Sequence, residues 1–141
     1  MKKIYLACDH AAFNEKNEIL KYLSDKFEVV DLGTNTAESV NYPDFGHSLA
    51  IEVLKNEAIG IALCGSGIGI SIAVNRHKGI RGALCRDKED AKMCKLHNNA
   101  NILCLGARRN SLSELLAMVD VWLETEFEGG RHETRTKLLD N

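Results

Sequence analysis

Residues 59–74 read IGIALCGSGIGISIAV and contain the sharpest local pattern in the chain. Its first six residues are uncharged and mostly apolar, which predicts a buried strand ending at Cys64. A glycine-rich turn follows and leads into a segment of helical period. Strand, turn and helix together form the repeating unit of a parallel sheet with helices on both faces. The stretch therefore predicts an α/β protein.

The same alternation of short apolar runs and helical segments continues along the chain and predicts a three-layer α/β/α sandwich with a five-stranded parallel sheet. Ser111 is a candidate N-cap with Glu114 three residues later, and Asp44 is a candidate cap after Pro43. We expect strands over 4–8, 27–32, 59–64, 82–85 and 101–105. We expect helices over 11–26, 45–56, 68–76, 87–96, 111–124 and 132–139.

The composition is that of one ordinary globular domain over residues 1–141. Eighteen Lys and Arg against 20 Asp and Glu give 18 − 20 = −2, and 45% of the residues are hydrophobic. These values exclude disordered and low-complexity classes. No block of basic residues with interleaved aromatics is present, so we expect no nucleic-acid partner. No apolar run approaches the ~20 residues of a membrane span, so we expect no membrane association.

The N-terminus and the cysteines predict a cytoplasmic protein. Asp9 and His10 interrupt the apolar run near the N-terminus before it is long enough to form the apolar core of a signal peptide. The cysteines are odd in number and dispersed, and none forms a C-x-x-C pair; they are Cys8, Cys64, Cys85, Cys94 and Cys104. We expect all five to be reduced thiols.

Polar and glycine residues follow the predicted strands, where open parallel sheets bind their ligands. Asp9 and His10 follow the first strand, the glycine turn 65–69 follows the third, and Arg108 follows the last. The turn could cradle an oxyanion or phosphate with its N–H groups, or could equally be a packing turn. It is neither a dinucleotide fingerprint, since Ile70 stands where the last glycine should be, nor a P-loop.

Cys64 is the candidate base or nucleophile. It ends a strand ahead of a helix N-terminus, where the helix dipole favours a thiolate. The alternative is a small buried hydrophobic residue, which is the commoner role of a cysteine. The contexts of the other four cysteines favour that second interpretation.

The histidines predict no metal site, because paired spacing such as H-x-H or H-x-x-x-H with a carboxylate is not found. His10, His97 and His132 stand at expected loop positions and could act as general acid–base groups or as caps. His47 and His77 fall in or near amphipathic helices, so we expect them at the surface.

Arg131 and Arg135 are four residues apart and would share a helix face suited to a phosphate dianion, with Arg108 as a further contributor. The alternative is a solvated charged face with Glu128 and Glu133 as partners. Without other information, that alternative is the better interpretation.

Taken together, these motifs resemble the ribose-5-phosphate isomerase B family, within the wider group that includes galactose-6-phosphate isomerase subunits. The similarity covers essentially the whole chain. Its order and spacing are specific, and it is carried by CDHAAF at 8–13, NYPD at 41–44, CGSGIGISIA at 64–73, GIR at 79–81, HN at 97–98, LGAR at 105–108 and EGGRH at 128–132.

The resemblance implies an aldose–ketose isomerase with a Rossmann-like fold that uses no metal or other cofactor. It implies a homodimer or tetramer whose active sites lie between subunits, with the C-terminal helix contacting the partner. Cys64 would move a proton between C2 and C1 through a cis-enediolate. His97 would assist ring opening, and Asp9 and Tyr42 would contact the region of the ring oxygen.

The resemblance assigns the remaining site residues to two anions. The enediolate oxygen would be stabilised by the Ser66 hydroxyl and the backbone amides of Gly65, Ser66, Gly67, Ile68, Gly69 and Ile70. The phosphate would be held by His10, Arg108, Arg131 and Arg135, and Arg131 and Arg135 would reach in from the partner chain together with His97. Asn98, beside His97 in the motif, is a further candidate for substrate binding.

Two positions depart from the family pattern. Ile70 stands where some members carry a glutamate base, so Cys64 has no substitute. Asn99 stands where the family commonly has an aspartate, which removes one carboxylate near His97.

The leading functional prediction is interconversion of ribose 5-phosphate and ribulose 5-phosphate. The same chemistry would permit a six-carbon substrate such as galactose 6-phosphate or allose 6-phosphate, although the ending 128–132 favours the pentose. The third hypothesis is a noncatalytic sugar-phosphate-binding module. The joint presence of Cys64, His97 and the arginines disfavours it, because a binding module needs the anion site but no base.

Overall fold

The computed structural model describes residues 3–141 and confirms the α/β prediction. The strands are β1 (Lys3–Cys8), β2 (Glu28–Asp31), β3 (Ile59–Cys64), β4 (Gly82–Leu84) and β5 (Ile102–Gly106). The helices are α1 (Phe13–Leu23), α2 (Tyr42–Asn56), α3 (Ile68–Val74), α4 (Lys88–Asn98), α5 (Leu112–Glu124) and α6 (Arg131–Lys137), and a short 3-10 helix covers His10–Ala12.

All five strands are parallel and lie in the order β2-β1-β3-β5-β4. Alternate residues of each central strand face opposite layers, as the two-residue period of a strand requires. On one face Leu6 and Leu63 pack with α1, α4 and α5, whose Trp122 is fully buried. On the other face Ala62 and Cys64 pack with α2 and α3. The sheet is therefore covered on both sides.

The order of the strands fixes where a ligand can bind. From β1 the chain crosses to β2 on one side, whereas from β3 it crosses toward β5 and β4 on the other side. The two connections leave a crevice between the carboxyl ends of β1 and β3, which are paired through Cys8 and Leu63. Asp9 and Cys64 lie at this point.

Two helix starts differ in how well the sequence predicted them. Ser111 caps α5 as expected, and its hydroxyl accepts the N–H of Glu114 while the Glu114 carboxylate accepts the N–H of Ser111. The prediction that Asp44 caps α2 is wrong, because α2 begins at Tyr42 and Pro43 lies within its first turn. Proline is tolerated there because first-turn N–H groups have no partner within the helix.

Among residues 3–141, no helix combines the length and the apolar character needed to cross a membrane.

A buried ammonium group ties α1 to the edge of the sheet. Lys16 is fully buried, and its Nζ lies 2.9 Å from both carboxylate oxygens of Asp31 and donates to the carbonyl oxygen of Thr34 at 2.7 Å. A buried charge is tolerated only when it is paired and hydrogen-bonded. This contact fixes the segment after β2, which lies next to the carboxyl end of β1.

We expect Asp31→Ala to destabilise the fold by about 2 kcal/mol, because it leaves the Lys16 ammonium buried beside a single carbonyl. The expected loss is below that of a fully buried pair because the Asp31 side chain is 24% exposed. The measurement is urea unfolding followed by circular dichroism. Adding Lys16→Met should restore part of the loss.

Glu18→Ala is the matched control, since it removes the carboxylate of the exposed Glu18–Lys21 pair. It should change the unfolding free energy by less than about 1 kcal/mol. Equal losses for Asp31→Ala and Glu18→Ala would contradict the role given to the buried ammonium.

Candidate active site

Cys64 lies at the carboxyl end of β3, beside the crevice that the strand order creates. Its side chain is largely enclosed, with the residue 4% exposed, yet it borders an open cleft. The backbone N–H of Gly67 donates to its Sγ at 3.1 Å. An N–H donor aimed at sulfur stabilises negative charge there, which suits a group that must work as a base.

Close packing against β5 shapes the glycine loop that follows Cys64. Gly67 has φ +78, and a Cβ at this residue would lie 2.8 Å from the backbone carbon of Leu105. A Cβ at Gly106 would lie 2.5 Å from the carbonyl oxygen of Ser66. Glycine is therefore required on both sides of the contact.

The cleft has a volume of about 620 Å³ and is open to solvent. It collects residues from the ends of three strands and from the start of α2, as the sequence predicted. We call it the cysteine cleft, lined by Asp9, His10, Ala11, Tyr42, Cys64, Gly65, Ser66, Gly69, Arg108 and Arg109.

Asp9 and His10 line the cysteine cleft, and hydrogen bonds fix the orientations of their side chains. Asp9 is buried, and its carboxylate accepts the N–H of Ala11 at 3.0 Å. Nδ1 of His10 accepts the N–H of Val40 at 3.1 Å. A neutral imidazole that accepts at one nitrogen carries its proton on the other. His10 therefore presents Nε2–H as a donor, and it lies in the 3-10 helix rather than in the loop that the sequence predicted.

Tyr42 and Arg108 both lie against the glycine loop. A Cβ added to Gly69 would lie 2.7 Å from the Tyr42 ring, so the ring rests directly on the backbone there. A Cβ added to Gly65 would lie 3.3 Å from Nη1 of Arg108, and the N–H of Arg108 donates to the Gly65 carbonyl at 2.9 Å. A larger residue at Gly69 would overlap the Tyr42 ring, and one at Gly65 would require the Arg108 side chain to shift.

Several of the predicted loop amides already have partners. Besides the Gly67 amide on sulfur, the N–H of Ile68 donates to Oγ of Ser66 at 3.1 Å. The Ser66 hydroxyl accepts in that bond, so its own proton is free to donate elsewhere. The Ile70 side chain is fully buried among the apolar residues on that side of the sheet, so only its backbone could serve the site.

His97 and His132 do not line the cysteine cleft but form a second group with Glu128. Their rings stack with centroids 4.2 Å apart and planes 15° apart. The expectation that both stand in loops is wrong, because His97 lies in the last turn of α4 and His132 in the first turn of α6. Burial, together with the charges of His97 and Arg131, lowers the pKa of His132.

Glu128 connects the two histidines. Its Oε2 lies 3.9 Å from Nε2 of His97 and its Oε1 lies 3.8 Å from Nε2 of His132. His97, Glu128 and His132 together form what we call the histidine cluster, which the sequence did not predict. The only signal was the spacing of Glu128 and His132, because His97 lies more than thirty positions earlier.

Arg131, Arg135 and Asn98 also lie away from the cysteine cleft. Arg131 and Arg135 are exposed on α6, and among residues 3–141 neither has a carboxylate within ion-pair distance. Their exposure agrees with a solvated charged face, whereas the expected pairing with Glu128 and Glu133 is wrong, since Glu133 pairs with Lys137 at 3.2 Å. Asn98 borders a separate cavity with Arg81 and Ala100.

The other four cysteines are buried and reduced, as expected. Burial raises the pKa of Cys8 to about 12 and also raises that of Cys104. Sγ of Cys85 lies 3.7 Å from Sγ of Cys94 in the core. None of these four thiols borders the cysteine cleft, so Cys64 is the cysteine with access to a ligand there.

His47 and His77 are half-buried rather than at the surface. Nδ1 of His47 lies 2.7 Å from Nε2 of His77, and burial lowers the pKa of His77. The contact joins α2 to the turn after α3. The amphipathic pattern that predicted surface positions carries no information on this pairing.

Comparison with known proteins places the whole chain in one family. Residues 4–139 match the family model described as Ribose/Galactose Isomerase. Ribose-5-phosphate isomerase B of Escherichia coli is 40% identical over 141 residues, covering 99% of this chain and 95% of that protein.

Solved structures agree with this match. Ribose-5-phosphate isomerase B of Thermotoga maritima superposes with a TM-score of 0.96 at 48% identity, covering 99% of this chain and 97% of that one. The enzyme of Mycoplasma genitalium, solved with bound ribulose 5-phosphate, has a TM-score of 0.93 at 40% identity, covering 96% of this chain and 91% of that one. The resemblance seen in the sequence is confirmed, and the chain belongs to the ribose/galactose isomerase family.

Proposed function

We propose that this chain interconverts ribose 5-phosphate and ribulose 5-phosphate through a cis-enediolate, with Cys64 as the base. The activity is supported by the family and by ribose-5-phosphate isomerases that this chain matches over nearly their whole length. The role of Cys64 is supported by one observation above others. Its sulfur accepts a backbone N–H at the edge of a polar cleft that none of the other four thiols borders.

The reaction needs one base and a stabilised oxyanion. The Cys64 thiolate takes the proton from C2 of the open-chain aldose, and the electron pair of the C–H bond moves toward the carbonyl, which becomes an enediolate oxygen. The proton of the C2 hydroxyl then moves to the enediolate oxygen on C1, and the thiol returns its own proton to C1. C2 thereby becomes the ketone, C1 carries the hydroxyl, and Cys64 is again a thiolate. A single base suffices because C1 and C2 are adjacent.

Ser66 is the side chain best placed to stabilise the enediolate. Its oxygen accepts the Ile68 N–H, which holds the side chain in place and leaves its O–H free to donate. The remaining loop N–H groups from Gly65 to Ile70 supply further donors. Preorganised donors act strongly on developing charge, and one such donor is worth ~3 kcal/mol.

His10 and Arg108 begin the phosphate site inside the cysteine cleft. His10 offers Nε2–H, and Arg108 offers a guanidinium group held against the loop. Asp9 and Tyr42, which line the same cleft, would contact the region of the ring oxygen. Binding the phosphate remote from C1 and C2 orients the reacting carbons over Cys64.

His97, Asn98, Arg131 and Arg135 would complete the site from a second copy of the chain. They do not line the cleft of their own chain, and within the described range 3–141 the two arginines are exposed without carboxylate partners. Helices α2 and α3 also expose apolar side chains, namely Ile51, Leu54, Ile68 and Ile72. An apolar surface of this kind suits a homodimer with sites shared between chains, or a tetramer of such dimers.

We expect Cys64→Ala to lower kcat by at least ~100-fold while phosphate-ligand affinity stays nearly unchanged, because the variant removes the base and keeps the anion site. Arg135→Ala should instead mainly raise KM for ribose 5-phosphate. The measurements are steady-state kinetics and titration with inorganic phosphate. The opposite pattern would overturn the two assignments.

Mixing inactive Cys64→Ala chains with inactive His97→Ala chains should restore activity if the sites are shared. Random exchange makes half of the dimers mixed, each with one intact site of two, so the rate should approach about a quarter of wild type. Native mass spectrometry of chains with different tags verifies exchange. No recovery despite exchange would mean that each site is built within one chain.

Treatment with EDTA should not lower the rate, because the proposed mechanism uses no metal. The check compares initial rates before and after dialysis against the chelator. A loss of activity that added divalent cation restores would contradict the metal-free mechanism.

A further inference from the structure

The histidine cluster has more order than packing requires. Glu128 precedes α6, and its backbone N–H donates to the carbonyl of Leu96 at 3.0 Å, which holds it against the end of α4. His97 comes from the last turn of α4 and His132 from the first turn of α6. Three separate segments of the chain thus bring two imidazoles and a carboxylate together.

His132 provides the observation that points to a ligand. Its side chain is 8% exposed, and its buried Nε2 has no hydrogen-bond partner among residues 3–141. The carboxylate oxygen of Glu128 that it faces is 3.8 Å away, too far for a hydrogen bond. A buried nitrogen without a partner is costly, and an atom placed between Nε2 and the carboxylate would satisfy both.

We propose that Nε2 of His97, the carboxylate of Glu128 and Nε2 of His132 form a binding site for a divalent transition-metal ion, with Zn²⁺ the best fit. Two imidazoles and one glutamate are a known three-ligand set for zinc, with water in the fourth position. Mg²⁺ and Ca²⁺ prefer oxygen ligands and would find only one carboxylate.

The geometry needs only a small adjustment to receive the ion. All three ligand atoms already lie within 4.8 Å of one another. Bonds of ~2.0–2.1 Å in a tetrahedron bring ligands to roughly 3.4 Å apart. Glu128 and His97 have side chains 46% and 38% exposed, so both can rotate to close the gap, and this rotation tilts His97 out of its 15° stack on the buried His132.

Nearby positive charge sets an upper limit on the affinity. Arg131 and Arg135 lie on the same short helix as His132 and act against a cation. We therefore expect a reversible site rather than a permanent structural one. An ion on Nε2 of His97 would stop that nitrogen from transferring protons, so bound zinc would inhibit the isomerase. This consequence rests on the proposed function, whereas the binding itself does not.

The binding test uses full-length chain carrying Cys64→Ala, which removes the accessible thiol as a competing ligand and requires no activity. Equilibrium dialysis with Zn²⁺ should find one ion per chain. Loss of a residue that only supports a metal ligand already lowers metal affinity by ~10-fold or more. Glu128→Gln and His132→Asn each remove a direct ligand, so each should weaken zinc binding by at least ~10-fold. Bound Co²⁺ should show visible bands without a thiolate charge-transfer band.

His77→Asn is the matched control, because His47 and His77 form the other close histidine pair. It should leave zinc affinity unchanged. Absence of stoichiometric binding, or loss of binding in His77→Asn instead of Glu128→Gln, would overturn the proposal. Glu128→Gln alters a half-exposed side chain, so it remains informative if His132→Asn fails to fold.

The activity test uses chains with Cys64 intact. Zn²⁺ should inhibit reversibly, with EDTA restoring the rate, and Glu128→Gln should need at least ~10-fold more zinc for half-inhibition relative to its own zinc-free rate. Binding without inhibition would leave the metal site standing and overturn the role of His97. Inhibition that Glu128→Gln does not relieve would place the inhibitory ion elsewhere.

Discussion

The position of the Cys64 sulfur depends on how closely the loop after β3 approaches the end of β5. Any side chain at Gly67 or Gly106 would overlap backbone atoms of the other segment. With no Cβ in the way, the loop turns sharply enough for the Gly67 N–H to meet the sulfur three residues earlier in the chain. The contact therefore sets both the position of the Cys64 sulfur and the N–H donor that meets it.

The arrangement of strands and helices could be predicted because period and apolar runs are local properties of the sequence. All five strands and the capping box at Ser111 were found this way, and β3 has its predicted bounds. Errors fell at helix ends. Pro43 lies inside the first turn of α2 rather than before it, because its fixed φ suits that turn. His97 lies in α4 rather than in a loop, because α4 continues until Asn99 adopts a left-handed conformation.

Most of the cysteine cleft could be predicted because Asp9, the glycine loop and Arg108 follow strands, and parallel strands bring their carboxyl ends to one edge. Tyr42, at the start of α2, follows only from the family resemblance. The histidine cluster could not be predicted, because it joins the end of one helix to the start of another more than thirty residues later. Its carboxylate also bears on a departure from the family pattern. Asn99 removes an acidic group next to His97, and Glu128 supplies one at 3.9 Å.

The two outermost strands are the shortest in the sheet, with three residues in β4 and four in β2. A short edge exposes few unpaired backbone groups to another chain. Extension of the sheet from one copy into the next would rest on only a few hydrogen bonds. Self-association is thereby directed to helical surfaces, and fibre-like stacking of edges is discouraged even at high protein concentration.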